Sequence, residues 1–292
     1  MVEEHMFVSG HTACAGCGQA LAVKLIFDTL GKEVIVVNAT GCLEVFSTGY
    51  PNSAWNIPFI HSLFENAAAV ASGIEAALKH KGISDVTVIS QGGDGSTADI
   101  GLQALSGMWE RGHNVLSICY DNEAYMNTGI QRSGLTPTNA YTTTSPTGKN
   151  WAGNWRPKKN MVEIALAHNC PYVATATVGY IPDLQKKIKK AASIKGPKFL
   201  HVLVPCPLGW GHDTDLTYEI AQLAVQTGFF PILEYEYGKL VSVIKPAQIR
   251  PVEDYLRLQR RFAHLLKEDN KKELDKIKEF VNNNIIKYNL KS

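Results

Sequence analysis

Short apolar runs and stretches of helical spacing take turns along most of the chain. Glu33–Val37, Val86–Ser90, Asn114–Tyr120, Tyr172–Ala176 and Pro197–Val204 are brief and rich in β-branched or aromatic residues. Runs of that length without polar alternation read as strands covered on both faces. Between them, apolar residues fall at helical spacing in Gln19–Leu30, Ile100–Arg111, Asn160–His168 and Pro182–Ser193. An alanine-rich helix is expected after Phe64-Glu65-Asn66, running to Lys79. Strand and helix in alternation predict an α/β fold with a doubly wound, mainly parallel sheet. From Asp213 the rhythm loosens. Thr217–Gly228 predicts a helix, Glu234–Ile244 a hairpin turning at Gly238, and Val252–Tyr288 one highly charged helix. The expected organisation is an α/β domain over residues 1–212 and a helix-rich C-terminal extension over 213–292. Glu44–Pro58 and Gly134–Lys159 read as loops. The second holds Trp151 and Trp155, and a loop this long in a compact domain is usually functional or an interface. Its tryptophans are expected to pack against something.

Composition narrows the function classes. A net charge of +2, with 45% hydrophobic and 19% charged residues, gives no reason to expect nucleic acid or an anionic membrane as partner. No apolar run reaches the length of a membrane span. The acidic start Met1-Val2-Glu3-Glu4-His5 lacks the basic and apolar regions of a signal peptide, so a cytoplasmic chain is expected. There, six cysteines speak for metal binding or catalysis rather than disulfides.

Two polar loops follow consecutive expected strands. The first is Gly92-Gly93-Asp94-Gly95-Ser96-Thr97-Ala98-Asp99, after Val86–Ser90. A glycine-rich turn between strand and helix presents backbone N–H groups to a phosphate. Asp94 would repel a bare phosphate, and makes sense there if a divalent cation lies between them. Mg²⁺ suits one or two carboxylates plus phosphate oxygens. The second loop, Asp121–Gly129, adds a side-chain oxygen from Asn122 and a backbone carbonyl from Ala124. Both loops belong at the same sheet edge, where α/β proteins bind ligands. Together they resemble the thiamine diphosphate motif.

The cysteines form a second constellation. Cys14 and Cys17 are spaced Cys-x-x-Cys among small residues, and Cys42 and Cys206 each follow an expected strand. Cys17 precedes a helix, a position that favours thiolate. Four such thiols suit Zn²⁺ or an iron–sulfur cluster, and spacing alone does not choose between them. Cys119, inside a strand, and Cys170, before Pro171, read as packed thiols.

Taken together, Gly10–Gly18, Asn38–Cys42, Gly93–Gly101, Tyr120–Arg132 and Pro205-Cys206 resemble the beta subunits of 2-oxoacid:ferredoxin oxidoreductases, those of the pyruvate:ferredoxin branch most of all. The resemblance runs from about Gly10 to Trp210. It implies a thiamine diphosphate-binding fold and a [4Fe-4S] cluster on Cys14, Cys17, Cys42 and Cys206. It places Mg²⁺ on Asp94, Asn122 and the Ala124 carbonyl. Gly93, Gly95, Ser96 and Thr128 join these around the cofactor, and Asn127 is the residue expected to reach both cofactor and substrate. The implied activity is oxidative decarboxylation of a 2-oxo acid, pyruvate first, to acetyl-CoA and CO₂, with electrons passing to the cluster and to ferredoxin. The implied partners are an alpha subunit, ferredoxin-like gamma and delta subunits, ferredoxin, pyruvate and coenzyme A. In this family the carboxylate that activates the thiamine pyrimidine resembles one from the alpha subunit. Glu65 is the local alternative, though a helix-start charge explains it better. His11, His61 and His212 read as polar or surface histidines. The motifs leave open 2-oxoisovalerate, 2-oxoglutarate or oxalate as substrate. A non-redox thiamine carboligase or decarboxylase would need no cysteine set, and a structural zinc protein would need no thiamine loops.

Overall fold

The computed structural model describes residues 4–291. Met1–Glu3, which open the acidic start, and Ser292 lie outside the described residues. The strands are β1 (Val34–Ala39), β2 (Phe59–Ser62), β3 (Thr87–Gly93), β4 (Val115–Asp121), the short pair β5 (Thr147–Gly148) and β6 (Trp151–Ala152), β7 (Tyr172–Thr177), β8 (Lys198–Leu203), β9 (Leu233–Glu236) and β10 (Lys239–Val243). Eight of them make one sheet in the order β10-β9-β7-β8-β4-β3-β1-β2. The run from β7 to β2 is parallel throughout, and β9 and β10 close one edge as an antiparallel hairpin. The C-terminal extension therefore continues the sheet. Its hairpin turns at Tyr237-Gly238, both at positive φ, as a tight two-residue connection requires.

Helices cover both faces, as the unalternating strand runs require. One face packs Ala22, Ile26 and Phe27 of α1 (Gly18–Leu30) and Leu184 and Ile188 of α7 (Ile181–Ser193) on Ile89, Leu116 and Leu200. The opposite face packs α3 (Ala67–His80), α5 (Leu102–Glu110) and α6 (Met161–Ala167) on Val37, Val88, Val115 and Phe199. The small residues Ala67, Ala68 and Ala71 let α3 approach the sheet closely. A third cluster, built on Trp210, Phe229, Tyr255 and Phe262, joins the helices that follow β8: α8 (Pro207–Trp210), α9 (Thr217–Gln226), α10 (Val252–Leu256) and α11 (Lys271–Lys287).

Three expectations need correction. Cys42–Ser47 is helical (α2), so Glu44–Pro58 is not wholly a loop; the Ser47 and Thr48 hydroxyls bond back to the Leu43 and Glu44 carbonyls at 2.5 and 2.8 Å. Ile100–Arg111 is preceded by a separate short helix, α4 (Asp94–Ala98), and begins only at Leu102. The break falls where Asp99 turns away to accept bonds from Tyr125 Oη and Gly134 N, each at 2.8 Å. Val252–Tyr288 is not one helix. After α10 the chain enters a 3₁₀ segment, Arg260–Leu266, that drives Arg261, Phe262 and Leu265 into the interior, and α11 starts at Lys271. Within this chain Trp151 and Trp155 are 65% and 66% exposed, with the Arg156 guanidinium 3.7 Å from the centre of the Trp155 ring, so the packing expected of them is not supplied by this chain's own residues.

Parallel strands send their C-terminal ends to one edge. The register aligns Asn38 with Gln91, Gly93 with Tyr120, and Asp121 with Leu203. The loops after β1, β3, β4 and β8 therefore meet above the middle of the sheet. Leu116 on central β4 is fully buried, whereas Ile286 on α11 is 78% exposed. Leu116→Ala is expected to lower unfolding free energy by about 2–5 kcal/mol. Ile286→Ala should change it by no more than roughly 0.5 kcal/mol. Urea denaturation followed by circular dichroism checks both.

Candidate functional site

At that edge lies a cavity of about 180 Å³. Its walls include Gly93, Asp94, Gly95 and Ser96 from the β3–α4 turn, and Asn122, Ala124, Asn127 and Thr128 from the loop after β4. Every residue expected around the thiamine cofactor thus meets in one place. Asn127 and Thr128 stand at the exposed rim; Asp94, Asn122 and Ala124 form the buried floor. The turn is crowded from behind: a Cβ on Gly95 would come within 2.1 Å of the Tyr125 ring, so only glycine fits.

Asp94 is 2% exposed, and the Ser133 hydroxyl donates to its Oδ2. Burial, reinforced by the Asp121 carboxylate behind it, pushes its carboxyl well above the usual range despite the Ser133 bond. The Asn122 amide turns one of its two outer atoms toward Asp94 Oδ1, 3.0 Å away, and the Ala124 carbonyl oxygen, 2.8 Å away. With the amide nitrogen there, both contacts are hydrogen bonds. With its oxygen there, three oxygens converge. Neighbouring ligands of an octahedron with bonds of about 2.1 Å stand roughly 3.0 Å apart. The residues therefore fit Mg²⁺, which would also offset the buried carboxylate.

The cysteines gather beside this cavity. Cys42, at the start of α2, is one of its lining residues. Its thiol is pushed up to about 12 by burial and then by the charges of Cys206, Cys17 and Cys14. Burial lifts Cys206 to about 11, with Cys17 and Cys14 contributing. Cys17 is raised as well: burial outweighs the backbone N–H bonds of Ala20 and Gln19. The helix start therefore does not lower the Cys17 thiol, because its burial outweighs those N–H bonds. Two close approaches assemble the group. The Gly18 N–H donates to Pro205 O at 3.2 Å, and a Cβ on Gly18 would stand 2.7 Å from that oxygen. The Thr217 hydroxyl holds Gly16 O at 2.6 Å. Among the described residues, no three His, Cys, Asp or Glu side chains converge on a single metal ion. Cys119 and Cys170 are buried within the fold.

Residues 39–202 match the model of the thiamine pyrophosphate enzyme C-terminal TPP-binding domain. Pyruvate synthase subunit PorB of Methanocaldococcus jannaschii is 55% identical over 273 residues, covering 91% of this chain and 92% of that one. PorB of Methanosarcina barkeri is 55% identical over 97% of this chain and 96% of its own length. The chain belongs to the beta subunits of the 2-oxoacid:ferredoxin oxidoreductases. Ketoisovalerate oxidoreductase subunit VorB of Pyrococcus abyssi is 49% identical over 91% of this chain and 88% of that one. The fold matches a solved 2-oxoglutarate:ferredoxin oxidoreductase from Magnetococcus marinus, with a TM-score of 0.60, 21% identity and coverage of 91% of this chain and 92% of that one. This beta subunit is accordingly a thiamine diphosphate-binding oxidoreductase component.

Several residues of the site were not singled out from the sequence. Asp121 meets His201 Nε2 at 2.7 Å and Lys158 Nζ at 2.5 Å. Burial pushes its carboxyl up, but Lys158 and His201 more than offset this and hold it below the usual range. Lys158 and Arg261 each reach Glu123 at 2.6 Å. The only sequence signal was three polar residues, Asp121-Asn122-Glu123, directly after an apolar strand. Glu65 does not line the cavity; it borders a smaller cleft of about 20 Å³ beside Gln91. His61 bonds Thr40 Oγ1 at 2.8 Å, His11 stacks on Phe7, and His212 meets the Asp213 carbonyl.

Gly95→Ala should displace the Tyr125 ring and with it the second loop. The expected outcome is at least a tenfold weaker retention of thiamine diphosphate by the assembled enzyme. Cofactor analysis after gel filtration checks it.

Proposed function

We propose that this beta subunit carries the Mg²⁺–thiamine diphosphate and the proximal [4Fe-4S] cluster of an enzyme that oxidatively decarboxylates pyruvate to acetyl-CoA and CO₂ and passes the electrons to ferredoxin. The carrying observation is that Cys42 belongs to both constellations, lining the cofactor cavity and standing among the four thiols. Electrons leaving a substrate bound at the rim would have one side chain to cross.

When bound, thiamine diphosphate supplies an electron sink at the carbon that loses CO₂. The chain's own residues would do the rest from fixed positions. Asp94, Asn122 and the Ala124 carbonyl would hold Mg²⁺, and Gly93 to Ser96 leave room for the diphosphate. Asn127 and Thr128, at the open rim, face the side from which substrate arrives. Cys14, Cys17, Cys42 and Cys206 would hold the four iron atoms. A cluster has its own width, which suits thiols that influence each other without converging on one ion. Among the described residues Asp94 is the only carboxylate that lines the cavity, and it is assigned to the cation, so an alpha subunit is proposed to supply one for the pyrimidine end, with ferredoxin-like subunits taking the electrons onward. Coenzyme A would enter from the same open side. No helix among the described residues is long and apolar enough to cross a membrane, and a cytoplasmic enzyme is proposed. The PorB relatives favour pyruvate. The VorB relatives make 2-oxoisovalerate the second reading.

The test is anaerobic dye reduction by the assembled complex with each oxo acid. Asp94→Ala should abolish pyruvate-dependent reduction and cofactor retention while keeping the visible absorption. Cys206→Ser should lose that absorption, and Cys170→Ser should keep it. The beta subunit alone should show the absorption without turnover. Full turnover by the isolated chain would refute the split site, and iron content equal to wild type in Cys206→Ser would refute the ligand set.

A further inference from the structure

Asn122 is held from three sides by groups outside the expected ligand set. On its N-terminal side, Asp121 is fixed by His201 and Lys158. Its own carbonyl accepts the Trp210 indole N–H at 2.7 Å. On its C-terminal side, Glu123 sits at φ +68, a left-handed conformation uncommon for a residue with a Cβ. The Thr136 hydroxyl donates to the Glu123 carbonyl at 2.7 Å, and the buried Glu123 carboxylate is gripped by Lys158 and Arg261.

Arg261 comes from the C-terminal extension, 138 residues further along the chain. It is 4% exposed, and its guanidinium lies 3.8 Å from the centre of the Trp210 ring. One side chain thus supports both clamps: directly through Glu123, and through Trp210 on the Asn122 carbonyl. Gln259 Oε1 receives the Arg261 Nε–H at 3.0 Å, which fixes the plane of the fork. Lysine at this position would lack that planar, stacked geometry.

We propose that Arg261 and Glu123 are positioning residues for the cation: their ion pair maintains the left-handed turn that aims the Asn122 amide and the Ala124 carbonyl at Asp94. The C-terminal extension is then part of the metal site and not an arm laid against it. This rests on the reading of Asp94, Asn122 and Ala124 as Mg²⁺ ligands. Groups that orient metal ligands from behind are typically worth about 10- to 100-fold in metal affinity.

The experiment follows thiamine diphosphate binding to the assembled complex by tryptophan fluorescence, titrated with Mg²⁺. In the wild type, binding should require Mg²⁺. Arg261→Met and Glu123→Gln should each raise the Mg²⁺ concentration for half-saturation by about 10- to 100-fold, with full occupancy recovered at high Mg²⁺ and iron content unchanged. The double variant should shift little further than either single one, since both remove one interaction. Arg261→Lys, which keeps the charge, is measured alongside in case Arg261→Met fails to assemble, and should shift in the same direction by less. An unchanged half-saturation in any assembled variant would overturn the proposal. Fully additive shifts would also overturn it, because they would mean two separate structural defects. Mg²⁺-independent binding in the wild type would instead remove the metal reading on which the pair depends.

Discussion

A carboxylate taken out of water is costly by several kcal/mol unless a cation faces it. Asp94, Asp121 and Glu123 are all buried within one small region. Lys158 and Arg261 balance Asp121 and Glu123 by direct ion pairs. Asp94 makes no direct ion pair among the described residues: the Ser133 hydroxyl donates to it, Lys158 acts on it only from a distance, and it feels Asp121 as a like charge. That unpaired carboxyl lies on the wall of the cavity, with the Asn122 amide beside it and the Ala124 carbonyl oxygen on the far side of that amide. A fold does not gain stability from such an arrangement. It makes physical sense when a dication completes it, and a dication beside a glycine-rich turn is what a diphosphate needs.

The parallel sheet makes the arrangement reachable from distant parts of the chain. Adjacent strands β1, β3, β4 and β8 deliver Cys42, Asp94, Asn122 and Cys206 to one edge. Small residues then allow contact. Gly18 lets the first cysteine loop touch Pro205, and Gly95 lets the Asp94 turn lie against Tyr125. The two constellations are thus consequences of one topology, and Cys42 is their point of contact.

What could be read beforehand followed from locality. Strands buried on both faces announce themselves as apolar runs, and the loops that bear chemistry carry residue types a plain turn does not need. The parallel order then brought Cys206 beside Cys42 without further information. Non-local features were not legible. The Arg261–Glu123 pair depends on the path of the chain after α10, and the charged sequence of Val252–Tyr288 gave no sign that the chain leaves the helix there. Charge alone marks a solvated face, whereas Phe262 and Leu265 pull the segment inward and carry Arg261 with them. The helix start at Cys17 was legible, but its electrostatic effect was not, since burial of the thiol outweighs a few N–H groups. The helix α2 was hidden in a segment whose aromatic, glycine and proline content suggested a loop throughout.

The cavity is complete on one side only. Its floor is buried and bonded on every edge, yet Asn127 and Thr128 at the rim are open to solvent. Around them the elements that carry the site expose large apolar side chains: Val45 on α2 at 52%, Leu63 just before the α3 approach at 63%, and Leu208 on α8 at 72%. Single exposed apolar residues need no explanation, but several on the elements surrounding one binding cavity favour a covered surface. A second subunit placed there would exclude water from the rim and strengthen each charge-dependent contact beneath it. It could also bring a second carboxylate, since Asp94 is the only one among the described residues that line the cavity. On this reading the division of labour follows from electrostatics: the beta subunit spends its buried charge on holding a cation and its diphosphate. A further ionised carboxylate in the same pocket would compete with Asp94 for that cation, so the proton-moving group is better delivered from across the interface.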